Sequence, residues 1–343
     1  MGRFIASENI PVLLTRLATD GAVWAPAELP DSGESVVFAP WQPGREVVLD
    51  RFTQMSPKEL VLPMSERLLS FSYTLTMEGE EMEVESAIPG GHTVIFGARA
   101  CDAKALVVLD ALFHQDPETT WSDTQYRARR DDMTVVTIAC VKGTADAACF
   151  CSSWENGTAE KAGSDVIIYP VPGGFLAEAV TIRGTEVTGW DMFDDSDQPL
   201  PELDTTDVVD FDGLVEKLVT PGVFSDLDFW GRESHKCISC GYCTYGCPTC
   251  YCFNIYDEMQ GDRQGERCRS WDACMFYNYT VETSGHNPRP TIAHRWRNRL
   301  GHKFSYYPAN QGETLCTGCG RCIRGCPTGV DIRDILRAAG EHE

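Results

Sequence analysis

The sequence has few basic residues and no long apolar segment. Lysine and arginine number 29 against 51 aspartate and glutamate residues, so the formal net charge is −22. This acidic excess argues against nucleic acid as a partner, because its phosphates require a basic surface. No apolar run approaches the roughly 20 residues that span a bilayer, and residues 1–17 lack the apolar core of a signal peptide. We therefore expect a cytoplasmic protein without membrane insertion.

Several cofactor motifs are also missing. No G-x-G-x-x-G follows a predicted strand and no Walker A loop occurs, so no nucleotide site is visible. No C-x2-C-H is present for a c-type haem, and no paired C-x2-C near both ends resembles the ligands of a nickel–iron centre. These absences predict that the chain binds no flavin, nicotinamide or haem itself, and no residue is predicted to be catalytic.

Cysteine, in contrast, is abundant, with 16 residues. Two runs share the spacing C-x2-C-x2-C-x3-C-P: CISCGYCTYGCP begins at Cys237 and CTGCGRCIRGCP begins at Cys316. This spacing is typical of proteins with two [4Fe–4S] clusters, in which the fourth cysteine of each run binds the other cluster. The runs predict cluster 1, bound by Cys237, Cys240, Cys243 and Cys326, and cluster 2, bound by Cys316, Cys319, Cys322 and Cys247.

A zinc ribbon built from C-x2-C pairs is the alternative for these runs. Four-coordinate zinc does not need the third cysteine or the cysteine–proline step, which both runs repeat at the same offsets. Grouped cysteines in an unexported chain indicate metal rather than disulfides, and an anaerobic or microaerobic cell is expected.

A basic segment lies between the two runs. Residues 289–303 contain Arg289, Arg295, Arg297, Arg299 and Lys303. Clusters ligated by four thiolates carry negative charge, so this segment is predicted to compensate them or to dock a partner. A solvated helix face is the alternative.

A second group of cysteines lies in the first half of the chain. HTVIFGARA leads into Cys101, MTVVTIA leads into Cys140, and the triplet CFC supplies Cys149 and Cys151. If the two apolar runs are neighbouring strands, Cys101 and Cys140 lie at their C-terminal ends, where α/β sheets build binding sites. The four thiols predict a third [4Fe–4S] cluster. Buried free cysteines are one alternative, and a zinc site or redox disulfide is another.

Four cysteines remain outside these sets. Cys250 and Cys252 follow Cys247 too closely for all three to bind one cubane. A further metal site from Cys250, Cys252 and Cys274, with His286, is one prediction. Thiols that pack around cluster 2 are the alternative. Cys268 is the fourth.

The predicted fold class is α+β, with a strand-rich α/β domain at 1–225 and a mainly helical two-cluster ferredoxin-like domain at 226–343. Predicted strands cover residues 36–39, 46–49, 71–76, 93–97, 134–139, 166–171 and 178–182, and predicted helices cover 8–18, 102–113 and 211–218. The acidic stretch 189–210 is predicted to be an exposed loop or linker. The long connector between the cysteine runs is predicted to be helical at 272–281 and 292–300.

The chain resembles one family over nearly its whole length: the iron–sulfur subunit that anaerobic sulfite reductases share with soluble nickel–iron hydrogenases, or sulfhydrogenases, where it is the beta subunit. The segments that carry the resemblance are MSPKELVLPMSERLLSF (55–71), FGARACDAKALVVLD (96–110), CFCSS (149–153), KCISCGYCTYGCPTCYCF (236–253), GERCRSWDACMF (265–276), SGHNPRPT (284–291) and LCTGCGRCIRGCP (315–327). The family pattern includes the four cysteines of the first half and also Cys250, Cys252 and Cys274. Cys268 departs from it. SGHNPRPT is closer to the hydrogenase branch.

The resemblance implies an electron-transfer subunit of a multi-subunit oxidoreductase. It would relay electrons through [4Fe–4S] clusters between a partner that binds FAD and NAD(P) and a catalytic or further iron–sulfur partner, hydrogenase-like or heterodisulfide-reductase-like. The corresponding subunit of an anaerobic sulfite reductase is the alternative within the family. A substrate-binding catalytic subunit is a different class: three cysteines at the N-terminal cluster would leave an iron open, and four would close it.

Overall fold

The computed structural model describes residues 2–30, 35–116, 118, 121–155, 157–219 and 222–342. The strands are β1 (Gly2–Ala6), β2 (Ala22–Glu28), β3 (Val36–Pro40), β4 (Ser65–Thr76), β5 (Gly79–Ser86), β6 (Thr93–Arg99), β7 (Met133–Ile138), β8 (Val166–Val171), β9 (Gly174–Ala179), β10 (Asp194–Ser196), β11 (Phe253–Met259) and β12 (Gln264–Trp271). The helices are α1 (Ile10–Leu17), α2 (Ala100–Phe113), α3 (Thr124–Asp131), α4 (Ile182–Thr188), α5 (Leu214–Lys217), α6 (Leu227–Glu233), α7 (Tyr242–Tyr245), α8 (Ile292–Gly301), α9 (Tyr307–Gln311), α10 (Arg321–Arg324) and α11 (Ile332–Glu341), with a π-helical turn, His302–Tyr306, between α8 and α9. No described helix is both long and apolar enough to cross a bilayer.

A large sheet forms the first half of the molecule, in the order β10-β1-β9-β8-β7-β6-β2-β3. Its centre is parallel, since β6 pairs with β2 on one side and with β7 on the other, and β7 pairs with β8. Every residue of β7 is buried, as expected for a parallel strand covered on both faces. Apolar clusters lie on both sides of this centre, one built around α1 and one around α2 and α3.

A smaller sheet joins the two halves of the chain. Its order is β11-β12-β4-β5, so a hairpin from the cysteine-rich half pairs with a hairpin from the first half. A buried ion pair reinforces the junction: the Arg269 Nε donates to Glu66 Oε1 at 2.8 Å. The boundary expected near residue 225 therefore separates segments that share one sheet.

Most predicted elements of the first half are confirmed. Strands predicted at 36–39, 93–97, 134–139 and 166–171 correspond to β3, β6, β7 and β8, and the helices at 8–18 and 102–113 correspond to α1 and α2. The strand predicted at 71–76 is the end of the longer β4, and the helix at 211–218 shrinks to α5. The strand at 46–49 is wrong, because this segment is irregular. The strand at 178–182 is displaced, because Thr181 caps α4 and β9 ends at Ala179.

The connector between the cysteine runs differs from its prediction. It contains the hairpin β11–β12, and at 272–281 it forms only the 3-10 turn Tyr277–Thr280 instead of a helix. The strand pairing with β4 outweighs local propensity here. The helix predicted at 292–300 is confirmed as α8. The acidic stretch 189–210 is anchored, because β10 pairs with β1 and Leu203 bridges to Val141.

Candidate metal centres

The two cysteine runs fold alike. In each, a left-handed glycine starts a one-turn helix: Gly241 precedes α7 with φ 78°, and Gly320 precedes α10 with φ 70°. Glycine adopts this conformation without a steric penalty. Helices α7 and α10 contact each other, so the two runs face each other, as the exchange of their fourth cysteines requires.

The predicted ligands of cluster 1 line one cavity. Its empty volume is about 370 Å³, and its walls include Cys237, Cys240, Cys243 and Cys326. Backbone amides point at two of these sulfurs: Ser239 donates to Cys237 Sγ at 3.3 Å, and Val330 donates to Cys326 Sγ at 3.2 Å. Such hydrogen bonds tune the potential of a bound cluster. Cys240 is exposed at the protein surface.

The predicted ligands of cluster 2 lie deeper. Burial raises the pKa of the Cys316, Cys319 and Cys322 thiols, and each lies close enough to Cys247 for its charge to raise that pKa further. The structure therefore brings Cys247 close to the thiols of the second run. Ionisation of such buried thiols requires a positive charge among them, which a bound metal supplies.

Buried donors without partners surround these cysteines. Trp296 Nε1, Arg299 Nε and Thr317 Oγ1 are buried and have no hydrogen-bond partner among the described residues. Trp296 lines the cluster 1 cavity, and Thr317 follows Cys316 directly. Since buried donors in proteins almost always find acceptors, the sulfides and thiolates of bound clusters fit these positions.

The cysteines do not converge as the ligands of a single ion would. Among the residues that the structure describes, no three histidine, cysteine or acidic side chains come together tightly enough to hold one metal ion. A cubane differs, because each of its four irons takes its own thiolate.

Three buried cations face the cysteines. Lys58, Arg299 and Lys303 are each at most 3% exposed, and within the described ranges none has a carboxylate within 4.0 Å. Lys303 Nζ donates to Cys247 Sγ at 3.4 Å, and Arg299 donates from Nη2 to the Cys243 carbonyl at 2.7 Å and from Nη1 to Cys250 Sγ at 3.6 Å. Buried charge requires opposite charge nearby, so these cations fit anionic clusters.

The pKa shifts of Lys58 and Lys303 also indicate that both lysines lie close to cysteine sulfurs. Burial alone would lower the pKa of Lys303, but the Cys247 and Cys250 sulfurs outweigh it and raise that pKa. Burial lowers the pKa of Lys58, and the same two sulfurs act against that shift. Arg299 and Lys303 belong to the basic segment predicted to compensate the clusters. Lys58 was missed, because it comes from the 3-10 turn Pro57–Leu60 of the first half.

The four cysteines of the first half lie near one another. Strands β6 and β7 are parallel neighbours, which places Cys101 and Cys140 at one sheet edge. A bulge at Gly97, with φ 76°, redirects the chain just before Cys101. Burial, together with the proximity of Cys149, raises the pKa of Cys140 to about 11 and that of Cys151 to about 12. Cys101 in turn lies near Cys151.

This N-terminal site is in contact with the second cysteine run. The Phe150 N–H donates to the Gly318 carbonyl at 2.8 Å, and the Cys149 thiol donates to the Cys319 carbonyl at 3.7 Å. A Cβ on Gly318 would lie 2.5 Å from the Cys151 backbone nitrogen. In the sequence, the two glycines that flank Cys319 were the one indication of this contact, because glycine permits close approach of another backbone.

A buried ion pair fixes the same junction. Arg321 of α10 is bidentate to Asp102 of α2, with Nη1 to Oδ1 at 2.5 Å and Nη2 to Oδ2 at 2.9 Å. Asp102 also accepts from the Arg99 N–H at 3.3 Å, which caps the helix that carries Cys101. The pair therefore ties the N-terminal site to the second run.

The remaining cysteines separate into different surroundings. The Cys250 thiol lies against Cys247, and the Cys252 thiol lies against Cys274. Cys268 sits on β12 opposite Tyr256, in the small sheet. His286 is exposed in a turn closed by its carbonyl and the Glu282 N–H.

Comparisons with known proteins support iron–sulfur clusters in the cysteine-rich half of the chain. Residues 236–330 match the family described as a 4Fe-4S dicluster domain. The chain is 28% identical over 345 aligned residues to sulfhydrogenase 2 subunit beta of Pyrococcus furiosus, and the alignment covers 96% of each chain. No solved structure matches the chain. These matches confirm the resemblance seen in the motifs: the chain is similar to a sulfhydrogenase beta subunit and contains a 4Fe-4S dicluster domain.

Proposed function

We propose that the chain relays electrons through three [4Fe–4S] clusters within a multi-subunit cytoplasmic oxidoreductase. The crossed sets would hold clusters 1 and 2, and Cys101, Cys140, Cys149 and Cys151 would hold cluster 3. The observation that carries the proposal is the contact of the CFC triplet with Gly318 and Cys319, because it makes the three cysteine sets contiguous.

The contacts support an order for the relay. Cluster 3 would lie next to cluster 2, with a cavity of about 350 Å³ lined by Cys101, Cys151 and Cys316 between them. Cluster 2 would lie next to cluster 1 through the facing helices α7 and α10. Cluster 1 would reach the surface at Cys240, beside Ile238, which is 61% exposed. Bound clusters would supply one-electron transfer, and the protein would set their spacing and potentials.

The partners follow from the missing nucleotide motifs. A flavoprotein that binds FAD and NAD(P) would exchange hydride for single electrons, and a hydrogenase-like or heterodisulfide-reductase-like catalytic subunit would use or supply them. The relative is named as one subunit of a sulfhydrogenase, which supports an assembly. Four thiols at the N-terminal site favour a closed cluster, and hence a relay over a catalytic subunit with an open iron.

Iron content tests the cluster assignment. Anaerobically prepared protein should contain about twelve irons per chain, at four per cubane. Cys149→Ser should remove about four, and Cys268→Ser should remove none. Four or fewer irons per chain with stoichiometric zinc would contradict the assignment of clusters 1 and 2. Unchanged iron content in Cys149→Ser would contradict only the assignment of cluster 3.

Reduction by nicotinamide tests the relay. The isolated chain should be bleached by dithionite but not by NADH or NADPH, and added flavoprotein partner should make it respond to one of them. Cluster absorbance under anaerobic conditions reports each result. Bleaching by NADH or NADPH without a partner would reveal a nucleotide site and replace the relay with an enzyme.

A further inference from the structure

The small sheet β11-β12-β4-β5 has an apolar face. Strands β4 and β5 pair in antiparallel register, so Phe71 lies opposite Val84 and Tyr73 lies opposite Met82 on the same face. Gly265 of β12 lies opposite Phe71 on its other side, and a Cβ on Gly265 would lie 2.7 Å from the Phe71 ring. The apolar face therefore continues from β5 across β4 to β12.

The protein covers this apolar face only in part. Arg269 follows Gly265 on the same side of β12, and it binds Asp123, the residue that caps α3. On β5, in contrast, Met82 is 57% exposed and Val84 is 52% exposed. A contiguous patch of exposed apolar side chains is typical of a surface that another protein covers.

Strand β5 is also an edge of the sheet. Within the described part of the chain it pairs only with β4, so the backbone groups along its other side are open to a further strand. Its opposite face carries Glu81, Glu83 and Glu85, and no described basic residue forms an ion pair with them. Glutamates alone would protect an edge from pairing, but such protection does not require Met82 and Val84 on the other face.

We propose that β5 is the docking edge for an extended segment of a partner subunit, in which apolar and basic side chains alternate. Such a strand, added beside β5, gains main-chain hydrogen bonds. Its apolar side chains lie beside Met82 and Val84. Its lysines or arginines lie opposite Glu81, Glu83 and Glu85, where opposite charges stabilise a cross-strand pair. The inference rests on the multi-subunit assembly proposed above and does not depend on the clusters.

A second copy of this chain does not fit the edge. Two β5 strands side by side would bring glutamates together, and like charges opposite each other destabilise a strand pair. The other edge strand, β11, has the sequence FNIYDEM and contains no basic residue. Its Asp257 is already paired with Arg267 at 2.7 Å, and the net charge of −22 adds repulsion between copies. Charge therefore selects a different chain as the partner.

The test uses the complex purified anaerobically from cells that produce the full chain with an affinity tag. Hydrogen exchange at the amides of β5 should be slower in the complex than in the isolated chain, by about tenfold or more. Carbodiimide, which joins carboxylates to lysines in direct contact, should link the β5 glutamates to lysines of another subunit.

A pair of variants tests the role of charge. Glu83→Lys should lower the affinity of the chain for the partner on the order of tenfold, because an attractive cross-strand pair becomes repulsive. The matched control is Glu258→Lys, which changes an exposed glutamate on the same face of the sheet but on the opposite edge strand. It should leave that affinity unchanged.

Equal exchange at the β5 amides in the complex and in the isolated chain would overturn the proposal, and this comparison requires no variant to fold. Cross-links from the β5 glutamates to a second copy of this chain would also overturn it. A tagged chain that purifies without any other subunit would contradict the assembly itself, and docking with it. An intact complex with an unprotected β5 would contradict the docking edge alone.

Discussion

At the scale of single residues, Arg299 is the cation best placed to influence two clusters. Its charge acts on Cys243 and Cys322, one from each crossed set, and it has no carboxylate partner among the described residues. A positive charge favours the reduced form of a cluster, which carries one more electron. Arg299→Met should therefore lower the reduction potentials of clusters 1 and 2, on the order of 60 mV for each 1.4 kcal/mol of lost interaction. Potentiometric titration followed by EPR measures both.

The matched control for this experiment is Arg297→Met. Arg297 lies two positions away on the same helix, but its guanidinium stacks 4.3 Å from the Phe224 ring and donates to the Phe224 carbonyl at 3.2 Å. Arg297→Met should leave the reduction potentials of clusters 1 and 2 unchanged. Equal shifts in the two variants would mean that net charge, and not position, sets the potentials.

His302 makes the stability of the chain depend on pH. Burial, followed by the charges of Lys303 and Arg299, lowers the pKa of His302 from 6.5 to about 4. Below pH 6.5 the unfolded chain binds a proton that the folded chain does not, so stability falls as the pH drops from 6.5 towards 4. The loss is about 2 kcal/mol between pH 6.5 and 5. His302→Gln should flatten this dependence in guanidinium unfolding at pH 6.5 and 5, at equal iron content; a parallel pH dependence would contradict it.

Some residues of the candidate site could be predicted from the sequence and others could not. The ligand sets follow from spacing, and the basic segment identified Arg299 and Lys303, because both lie between the cysteine runs. Lys58 could not be found in this way. It reaches the same cysteines through a fold contact, with its Nζ donating to the Cys250 carbonyl at 2.8 Å, and spacing carries no information on such contacts.

At the scale of elements, the contact between the CFC triplet and the second run can be tested with two glycines. Gly318 and Gly329 have φ of 65° and 67°, so alanine is strained at both. Only Gly318 is also crowded, because its Cβ would lie 2.6 Å from the Phe150 carbonyl carbon, whereas nothing lies within 4 Å of one on Gly329. Gly318→Ala should remove the irons of cluster 3, and Gly329→Ala should retain them. Equal iron in both variants would mean that this contact does not hold the N-terminal site.

Elements were predictable where one segment determines its own structure. The apolar runs of β6, β7 and β8 are buried on both faces, and their composition alone indicates strands. The hairpin β11–β12 was missed, because both strands are polar and β11 is almost entirely exposed. Its structure depends on pairing with β4, which lies far earlier in the chain, as in the pair of Cys268 with Arg67.

At the scale of the whole molecule, the two halves are interdependent. The cysteine-rich half takes a strand partner from β4, a carboxylate from Asp102 and a cation from Lys58. We expect a fragment of residues 226–343 to bind fewer than the eight irons of its two cysteine runs (four per cluster), because Arg321 alone would lose a buried partner worth about 3–5 kcal/mol. Iron analysis and visible absorbance of fragment and full chain make the comparison. A fragment with full iron content would establish an autonomous ferredoxin-like domain.

The three buried cations also have a consequence for how the chain is made. Before iron and sulfide arrive, Lys58, Arg299 and Lys303 would lack the negative charge of the clusters, and a buried charge without its counter-charge costs roughly several kcal/mol. The newly synthesised polypeptide should therefore keep this interior open, and the last folding step should be cluster insertion itself. A cell that translates the chain faster than its assembly machinery delivers clusters would accumulate an open, protease-sensitive form.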